Sequence, residues 1–345
     1  MPHKIKNCFY KNLTFEKLLQ AHKRAKNHKT SKSEVIEFEM NLENNLINLL
    51  NNIKNNRYHL GKYRKFIIME PKRREIQALP YVDRIVHQWY VEEFIKPYIV
   101  PKFINSSFAC ITGRGTHRAV DCIQKYMQNM KVLNNDFWIL KCDIKKFFYN
   151  INPHILIRIM KKYISDKKLL NFTILLITEN RDVSPVGIPI GNYTSQFFAN
   201  IYLNELDYFI KHDLKVKYYV RYMDDFILLL NTKEECKKIK PIIEKFLKKN
   251  LELELNEKSR YYPNKMGVNF CGYRIWPTHR LLRTNSKIKI KKNVKKWNKL
   301  WRKNKLDFSY TIQSLNSWIG HASHSNSYLL TQKIISKCDF LYKDY

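Results

Sequence analysis

Apolar residues recur at helical spacing in several stretches of the chain. Between residues 31 and 56 they fall at intervals of three and four, and Ser31 and Glu34 have the spacing of a capping box. We therefore expect one long helix there. The further helices that this spacing predicts are residues 81–96, Ser195 to His212, and a segment that opens with Thr232 and Glu235.

Other stretches have the patterns of β-strands. Residues 138–143 form a short apolar run that ends in a carboxylate, which is typical of a buried strand. Residues 216–230 predict two strands joined by a tight turn at Met223–Asp224, and residues 251–255 alternate as a half-buried strand does. Residues 62–79 predict a basic hairpin.

The charge of the chain narrows the class of partner. Lys and Arg number 63 against 30 Asp and Glu, which gives a formal net charge of +33. Such self-repulsion indicates a polyanionic partner, with nucleic acid favoured and an anionic membrane surface second. No apolar run approaches the roughly 20 residues of a membrane-spanning helix. With nucleic acid favoured, we expect no membrane partner. The first residues lack the apolar core of a signal peptide, which predicts a cytoplasmic location.

The basic residues concentrate towards the C-terminal end. No Asp or Glu occurs between residues 257 and 307, and Trp297 and Trp301 lie four residues apart within that span. The pattern predicts a helix with one aromatic stripe and basic flanks. A backbone-tracking surface for nucleic acid is the favoured interpretation, and a solvated basic face over a small core is the alternative. The candidates for backbone contacts are Lys295, Lys296 and Lys299.

Adjacent carboxylates inside an apolar hairpin are the strongest chemical signal. Asp224 and Asp225 lie where an ionised carboxylate needs a counter-cation, or else its pKa shifts until it is neutral. Magnesium prefers carboxylate and phosphate oxygens, and Asp143, at the end of a separate strand, would complete a three-carboxylate site. Such a site could hold two metal ions about 4 Å apart for in-line phosphoryl transfer. We predict two Mg²⁺ ions, with Mn²⁺ as a substitute.

The motifs of the chain resemble those of reverse transcriptases. Tyr222-Met223-Asp224-Asp225 is similar to the Y-x-D-D box of that family. The other blocks that resemble the family, in its order, are residues 72–76 with 83–86 (fingers), 113–117 (an insertion of group II intron-like enzymes), 143–148 (motif A), 187–196 (motif B), 255–258 (motif D) and 270–273 (primer grip).

This resemblance covers about residues 60–300. It implies an α+β right-hand polymerase fold with palm, fingers and a helical thumb. It also implies RNA-directed DNA polymerisation from a template RNA, an RNA/cDNA duplex and deoxynucleoside triphosphates. The expected domains are an N-terminal helical extension (1–56), the fingers (57–135), the palm (136–284) and a basic helical thumb (285–345).

Motif B departs from the pattern of most reverse transcriptases, which have Gln-Gly and then Ser-Pro. The pairs here are Ile190-Gly191 and Ser195-Gln196, which resemble the enzymes of diversity-generating retroelements. That resemblance implies a bacterial or phage-encoded enzyme that copies a template-repeat RNA with errors at adenines, for mutagenic retrohoming. It also implies a small basic helical accessory protein. The alternatives are a group II intron-like or phage-defence reverse transcriptase and, outside catalysis, an RNA-binding protein on a polymerase fold.

The resemblance also implies residue roles. Asp143, Asp224 and Asp225 would hold the metal ions with the Ile144 carbonyl, although strand alternation disfavours two neighbouring ligands on one face. The candidates for contacts with the incoming nucleotide are Lys72, Arg74, Phe148, Ile190, Gly191 and Lys258. The candidates for contacts with primer or template are Tyr222, Met223 and Gly272.

The nucleotide-site roles each have a simpler alternative. Lys72 and Arg74 would grip the triphosphate, or else form a solvated hairpin tip. Phe148 would be the steric gate under the sugar, or else a core aromatic residue as Phe147 is expected to be. Gly191 would allow a close backbone approach to the nucleotide, or else be a turn glycine. The role of Lys258 on the leaving pyrophosphate is the least specific, since it rests on one lysine.

Overall fold

The computed structural model describes residues 4–69, 73–179 and 186–342. Within them every helix is too short or too polar to cross a membrane. The α-helices, in chain order, are α1 (Phe9–Asn12), α2 (Phe15–Lys26), α3 (Ser33–Met40), α4 (Leu42–Lys54), α5 (Tyr81–Tyr90), α6 (Lys96–Tyr98), α7 (Thr116–Leu133), α8 (Phe147–Asn150), α9 (Pro153–Tyr163), α10 (Lys167–Thr178), α11 (Tyr193–Tyr208), α12 (Lys233–Phe246), α13 (Thr284–Trp301), α14 (Phe308–Ser323) and α15 (Tyr328–Ile335).

Short strands lie between these helices. They are β1 (Arg64–Ile68), β2 (Arg74–Ala78), β3 (Trp138–Asp143), β4 (Tyr218–Tyr222), β5 (Asp225–Leu230), β6 (Arg260–Pro263), β7 (Val268–Phe270), β8 (Tyr273–Ile275) and β9 (Arg280–Leu282). Segments of π-helix extend α5, α11 and α12 over Val91–Ile95, Phe209–Asp213 and Leu247–Leu251, and 3₁₀ turns lie at Val100–Lys102, Asn264–Met266 and Asp339–Leu341.

The chain divides into two compact units whose segments interleave along the sequence. The first contains residues 1–111, 143–215 and 241–257, and the second contains residues 112–142, 216–240 and 258–345. One boundary falls inside α12 at Pro241, a residue that lacks the N–H needed for a helical hydrogen bond. The extension, fingers, palm and thumb boundaries expected from the sequence stay predictions.

An aromatic cluster lies in the core of the first unit. The Trp89 ring is fully buried and lies 5.2 Å from Phe94 and 5.5 Å from Phe172, between ring centroids. Its indole N–H donates to the Asn12 carbonyl at 2.7 Å, so the one polar atom of the ring is satisfied. Burial of these rings fixes α5 and α10 against the N-terminal segment.

The second unit contains the main sheet, whose strand order is β4–β5–β3–β6. Strands β4 and β5 pair as an antiparallel hairpin, and β3 pairs with β6. A separate sheet has the order β7–β8–β9. Helices α13 to α15 share a small core of their own. Its buried members are Ile290, Val294, Trp297, Leu315, Ile334, Cys338 and Phe340.

Most of the elements predicted from the sequence are confirmed, and two are wrong. The predicted helix 31–56 is interrupted at Asn41 (φ −135°, ψ 48°), where α3 ends, and the Asn45 side-chain amide donates to the Phe38 carbonyl at 3.0 Å. Asparagine offers the backbone such alternatives to a helical bond. The helix begins at Ser33, so the predicted cap at Ser31 is also wrong.

The second error concerns the strand predicted over residues 251–255. Leu251 instead ends a π-helical segment, and Glu252 has a left-handed backbone (φ +51°). The alternation of burial that suggested a strand is nevertheless present, because Leu251 and Leu253 are buried while Glu252 and Glu254 are exposed. Alternating burial over so few residues does not distinguish a strand from an irregular segment.

Asp166 joins the N-terminal segment of the first unit to α10. Its carboxylate accepts from the backbone N–H groups of Cys8 at 2.8 Å and Phe9 at 3.0 Å, and from those of Lys168 and Leu169 at the start of α10. Burial opposes the charged form, but these backbone hydrogen bonds outweigh burial and lower the pKa of Asp166. The charged carboxylate therefore stabilises the fold.

Replacing this carboxylate should cost stability in a pH-dependent way. We expect Asp166→Ala to lower the free energy of unfolding by about 2 kcal/mol at neutral pH, because it leaves a helix N-terminus uncapped. The pKa is lower folded than unfolded, so the stabilisation is complete above about pH 4 and disappears as the pH falls through the folded value. Urea denaturation at several pH values measures the difference. Asp136→Ala, at an exposed carboxylate, is the control, and a pH-independent difference would contradict the assignment.

Candidate active site

Asp224 and Asp225 lie at the β4–β5 turn, as the sequence predicted. Tyr222 and Asp225 are the last paired residues of the hairpin, so Met223 and Asp224 form a two-residue turn. Met223 has a left-handed backbone (φ +54°), which is rare for a residue with a long side chain. Such strained positions cluster at functional sites. Both aspartates are half-buried.

A buried arginine forms a hydrogen bond with the backbone of this turn. Arg221 is fully buried, and its guanidinium donates to the Met223 carbonyl at 3.1 Å. This hydrogen bond holds the backbone of the turn that carries Asp224. No role for Arg221 was predicted from the sequence, although it immediately precedes the Y-x-D-D box at Tyr222.

The carboxylate of Asp225 is bound by a lysine of the neighbouring strand. Lys141 on β3 brings its Nζ atom to 2.9 Å from Asp225 Oδ2, and the same ammonium donates to the Asn269 carbonyl on β7. Both side chains of the ion pair are mostly buried, with 23% of Lys141 and 29% of Asp225 exposed. No role for Lys141 was predicted from the sequence. The available signal was its position two residues before Asp143, which puts both residues on one face of β3.

The charge of Asp225 is also felt by two other side chains of the second unit. Burial raises the pKa of the Cys271 thiol to about 12, and the Asp225 carboxylate adds to that effect. Burial likewise raises the pKa of Tyr262 to about 12, with a further contribution from Asp225. Both groups are therefore neutral near pH 7, and the cationic partner of Asp225 is Lys141.

Asp143 ends β3, and the backbone beyond it is held by the segment of motif D. The Asn256 N–H donates to the Asp143 carbonyl at 2.7 Å, and the Lys145 N–H donates to the Glu254 carbonyl at 2.9 Å. These two bonds flank an isolated antiparallel bridge between Ile144 and Leu255. In such a pair the central residues keep their own N–H and C=O groups out of the bridge. The Ile144 carbonyl, predicted to assist a metal ion, is therefore not consumed by it.

Backbone hydrogen bonds attach motif B to motif A and to strand β2. The Ile188 N–H donates to the Phe148 carbonyl at 2.8 Å, and the Gln77 N–H of β2 donates to the Ile190 carbonyl at 2.9 Å. Gly191 has φ +132°, and a Cβ atom there would lie 2.7 Å from the Gln77 carbonyl oxygen. The close approach that requires a glycine at 191 is thus to the β1–β2 hairpin.

The donor atoms of the two aspartate-bearing elements suit a hard divalent cation. Asp143 and Asp224 offer carboxylate oxygens from half-buried positions, and such oxygens are the ligands that Mg²⁺ prefers. No group of three His, Cys, Asp or Glu side chains forms a ready-made metal cluster among residues 4–69, 73–179 and 186–342. The Lys141 ion pair makes Asp225 the least suitable donor of the three.

Comparison with known proteins identifies the family. The family described as reverse transcriptase (RNA-dependent DNA polymerase) matches residues 54–275, which is more than half of the chain. This chain belongs to the reverse transcriptase family. The family prediction from the sequence motifs is therefore confirmed, and reverse transcriptases in general use divalent metal ions.

Two relatives have names that concern introns. The chain is 24% identical to the putative COX1/OXI3 intron 2 protein of Saccharomyces cerevisiae, over 49% of this chain and 27% of that protein. It is 23% identical to the group II intron-encoded protein LtrA of Lactococcus lactis, over 68% of this chain and 50% of that protein. The chain thus spans between about a quarter and a half of the length of these relatives.

A solved structure agrees on the fold. Telomerase from Candida albicans, in complex with a fragment of telomeric RNA, superposes with a TM-score of 0.50 over 70% of this chain and 51% of that one. The sequence identity is 11%, so the likeness shows the fold alone. The expected α+β right-hand polymerase fold is confirmed.

The structure of this reverse transcriptase gives different surroundings to the nucleotide-site candidates. Phe148 is half-buried on α8 with its ring 5.6 Å from that of Phe147, which is in the core as expected. Arg74 is exposed at the first position of β2, paired with Ile68. Lys258 is exposed, and Lys72 lies outside the described residues. Their roles toward a nucleotide stay predictions.

The predicted primer grip is the hairpin between β7 and β8. Phe270 pairs with Tyr273, and the two turn residues, Cys271 and Gly272, both have positive φ angles, as in a type I′ turn. A Cβ atom at Gly272 would lie 2.9 Å from the His321 ring. The Tyr273 hydroxyl lies 2.9 Å from His321 Nδ1, so this hairpin is attached to α14.

The basic helix predicted near the C-terminal end is α13. Trp297 faces the small core of α13 to α15, whereas Lys295, Lys296 and Lys299 are exposed. The aromatic stripe and its basic flanks are therefore confirmed. The contact of these lysines with nucleic acid stays a prediction.

If these three lysines neutralise phosphates, their loss should reduce the salt dependence of binding. We expect the combined change of Lys295, Lys296 and Lys299 to Ala to lower the slope of log affinity against log salt by about 2 to 3, at roughly 0.7 to 0.9 per contact. Fluorescence anisotropy with an RNA–DNA duplex at several KCl concentrations measures the slope.

The matched control removes the same charge from exposed positions elsewhere, with Lys237, Lys238 and Lys248 changed to Ala. Equal slopes for the two triple variants would mean that net charge, and not α13, determines the salt dependence.

Proposed function

We propose that this protein is an RNA-directed DNA polymerase whose metal ions are held by Asp143 and Asp224. The observation that carries the proposal is the strand order of the main sheet. β3, which ends at Asp143, is the neighbour of β5, which begins directly after Asp224. Membership of the reverse transcriptase family supports the same activity.

The residues of the site have separate proposed roles. When bound, divalent ions would activate the primer 3′-hydroxyl and neutralise charge that develops on the phosphates. Asp143 and Asp224 would supply the carboxylate oxygens, with the Ile144 carbonyl beside them. Arg221 holds the turn in place through the Met223 carbonyl. Arg74 would meet the triphosphate, and the half-buried Phe148 ring would occupy the space that a ribose 2′-hydroxyl needs.

The carboxylates should be essential for extension but dispensable for binding nucleic acid. We expect Asp143→Asn and Asp224→Asn each to slow single-turnover primer extension by about 10³-fold, since metal ions contribute several kcal/mol to such reactions. Affinity for a primer–template duplex should change little, because the basic residues carry that interaction. Asp136→Asn, at an exposed carboxylate before the start of β3, is the control. Near-parental extension by either site variant would refute the metal assignment.

We further propose that the enzyme serves a diversity-generating retroelement and makes error-prone cDNA from a template-repeat RNA for mutagenic retrohoming. The support is the departure in motif B, where Ile190 replaces the usual Gln and Ser195-Gln196 replaces Ser-Pro. A small basic helical accessory protein and a cytoplasmic location in a bacterial or phage setting belong to this proposal.

The main chain at Ile190 is fixed, so its side chain can be exchanged on a constant backbone. The Gln77 N–H holds its carbonyl, and Gly191 follows at a position that only glycine fits. An isoleucine fills space without hydrogen bonding. An apolar contact discriminates by only about 1–3 kcal/mol, whereas polar groups left unpaired discriminate far more. The substitution therefore loosens the check on the shape of the nascent base pair.

Restoring a polar residue should improve fidelity. We expect Ile190→Gln to reduce misincorporation opposite template adenines by about 5-fold, which corresponds to about 1 kcal/mol of added discrimination. Deep sequencing of the cDNA measures the error spectrum. Ile190→Leu is the matched control, because it keeps an apolar side chain of equal size and should retain the parental errors. An unchanged spectrum for Ile190→Gln, at comparable extension, would remove Ile190 from the explanation of infidelity.

A group II intron-like function is the second candidate. Both curated relatives with intron-related names support it, at 23–24% identity. The two candidates differ in the RNA that the enzyme copies. Sequencing the RNA that copurifies with the protein distinguishes them, since a template-repeat transcript supports the first and an intron transcript the second.

A further inference from the structure

The Lys141 ammonium joins three strands of the second unit. It lies on β3, binds the first residue of β5 at 2.9 Å through Asp225 Oδ2, and donates to the main chain of β7 at Asn269. An ammonium group has three donors, so it can make both interactions at once. A single side chain therefore connects the strand of motif A, the β4–β5 turn (the aspartate turn) and the hairpin of the predicted primer grip.

The first partner of Lys141 is the backbone of a short hairpin. The Asn269 carbonyl belongs to β7, a strand of three residues whose sheet is separate from the main sheet. Its neighbours in the hairpin, Cys271 and Gly272, form a turn in which both residues have positive φ angles. The β7–β8 hairpin is thus a short element. Lys141 supplies a bond from the main sheet to its backbone.

The second partner of the Lys141 ammonium is the Asp225 carboxylate, which forms an ion pair with it. This carboxylate is mostly buried, and the Lys141 Nζ atom lies 2.9 Å from Oδ2. A buried carboxylate without a cation is strongly disfavoured. Because Lys141 provides that cation within the strands themselves, Asp225 does not need a metal ion to be stable.

We propose that Lys141 is a positioning residue, and that Asp225 serves mainly to anchor it. The pair fixes the primer-grip hairpin relative to the aspartate turn, and Asp143 and Asp224 remain as the metal ligands. This inference rests on the proposed polymerase function. It assigns to Asp225 a mainly structural role.

The consequence concerns the primer terminus. A reacting hydroxyl must be held close to its target, and a displacement of about 1 Å costs about 100-fold in rate. If Lys141 fixes the β7–β8 hairpin, its loss should move the primer end and slow the chemical step. Discrimination between nucleotides and their apparent affinity should change much less, because Phe148 and Ile190 lie on other elements.

Hydrogen exchange tests the connection without any catalysis. In the full-length protein, Lys141→Met should increase amide exchange in residues 268–275 by about 10-fold or more, because the bond to the Asn269 carbonyl is lost. Lys141→Arg keeps the charge and the donors, and should retain most of the protection. Lys233→Met is the matched control, since it removes a lysine that lies over the Trp138 ring of the same strand at 5.6 Å. Unchanged exchange in residues 268–275 for Lys141→Met would overturn the proposal.

A double-mutant cycle tests the assignment of Asp225. We expect Lys141→Met and Asp225→Asn each to slow single-turnover extension by about 10- to 100-fold, and the double variant to be no slower than either one. A fluorescent base at the primer terminus, read with EDTA present, should report the same altered environment in both single variants. Additive rate effects, or an unchanged terminus signal, would overturn the shared role.

The magnesium dependence separates the two roles of an aspartate. Asp224→Asn should raise the Mg²⁺ concentration for half-maximal extension in any residual activity, whereas Asp225→Asn should leave it near that of Lys141→Met. A large Mg²⁺ shift in Asp225→Asn alone would return Asp225 to the metal site. If the parent protein does not extend primers, the proposed polymerase function fails, and the hydrogen-exchange result still decides the role of Lys141.

Discussion

Charge compensation at the β4–β5 turn is the constraint on which the candidate active site depends. Two adjacent carboxylates at the end of an apolar hairpin repel each other and resist burial. Lys141 on β3 supplies a cation to Asp225, and Arg221 on β4 holds the backbone of the turn through the Met223 carbonyl. With Asp225 paired to Lys141, Asp224 is the carboxylate of the turn that we propose as a metal ligand.

The remaining candidate residues are placed mainly by backbone hydrogen bonds. Asn256 holds the Asp143 carbonyl, Phe148 accepts from Ile188, and Gln77 holds the Ile190 carbonyl. A main-chain bond is indifferent to the side chain that it positions. The chemistry of a position such as 190 can therefore change between related enzymes while its location is kept, and a rigid support of this kind is what a functional site needs.

The family and the subtype rest on different kinds of residue. Family membership follows from the match over residues 54–275 and agrees with the Y-x-D-D box and the fold. The proposed retroelement subtype rests on a few side chains of motif B. One of them is Gln196, whose side chain accepts a hydrogen bond from the Cys110 thiol at 3.3 Å. The relatives with intron-related names are 23–24% identical to the chain, which supports the family and does not decide the subtype.

The sequence by itself determined the family and most of the elements, and it supplied the three carboxylates as candidates. Strand-length apolar runs, helical periodicity and the turn at Met223–Asp224 are local patterns, and local patterns survive in any fold that keeps the backbone regular. The break at Asn41 and the irregular segment at 251–255 were missed. Side-chain hydrogen bonds and left-handed residues end the regular backbone there, while the spacing of apolar residues in the sequence continues unchanged.

Only the tertiary structure decided what each residue touches. Lys141 and Asp225 are 84 positions apart, and Gly191 meets the carbonyl of Gln77, more than a hundred positions before it. Neither contact leaves a mark in the residues beside it in sequence. The reason is physical: strand order and backbone clamps bring distant segments together, whereas composition and spacing report only on what one segment can do alone.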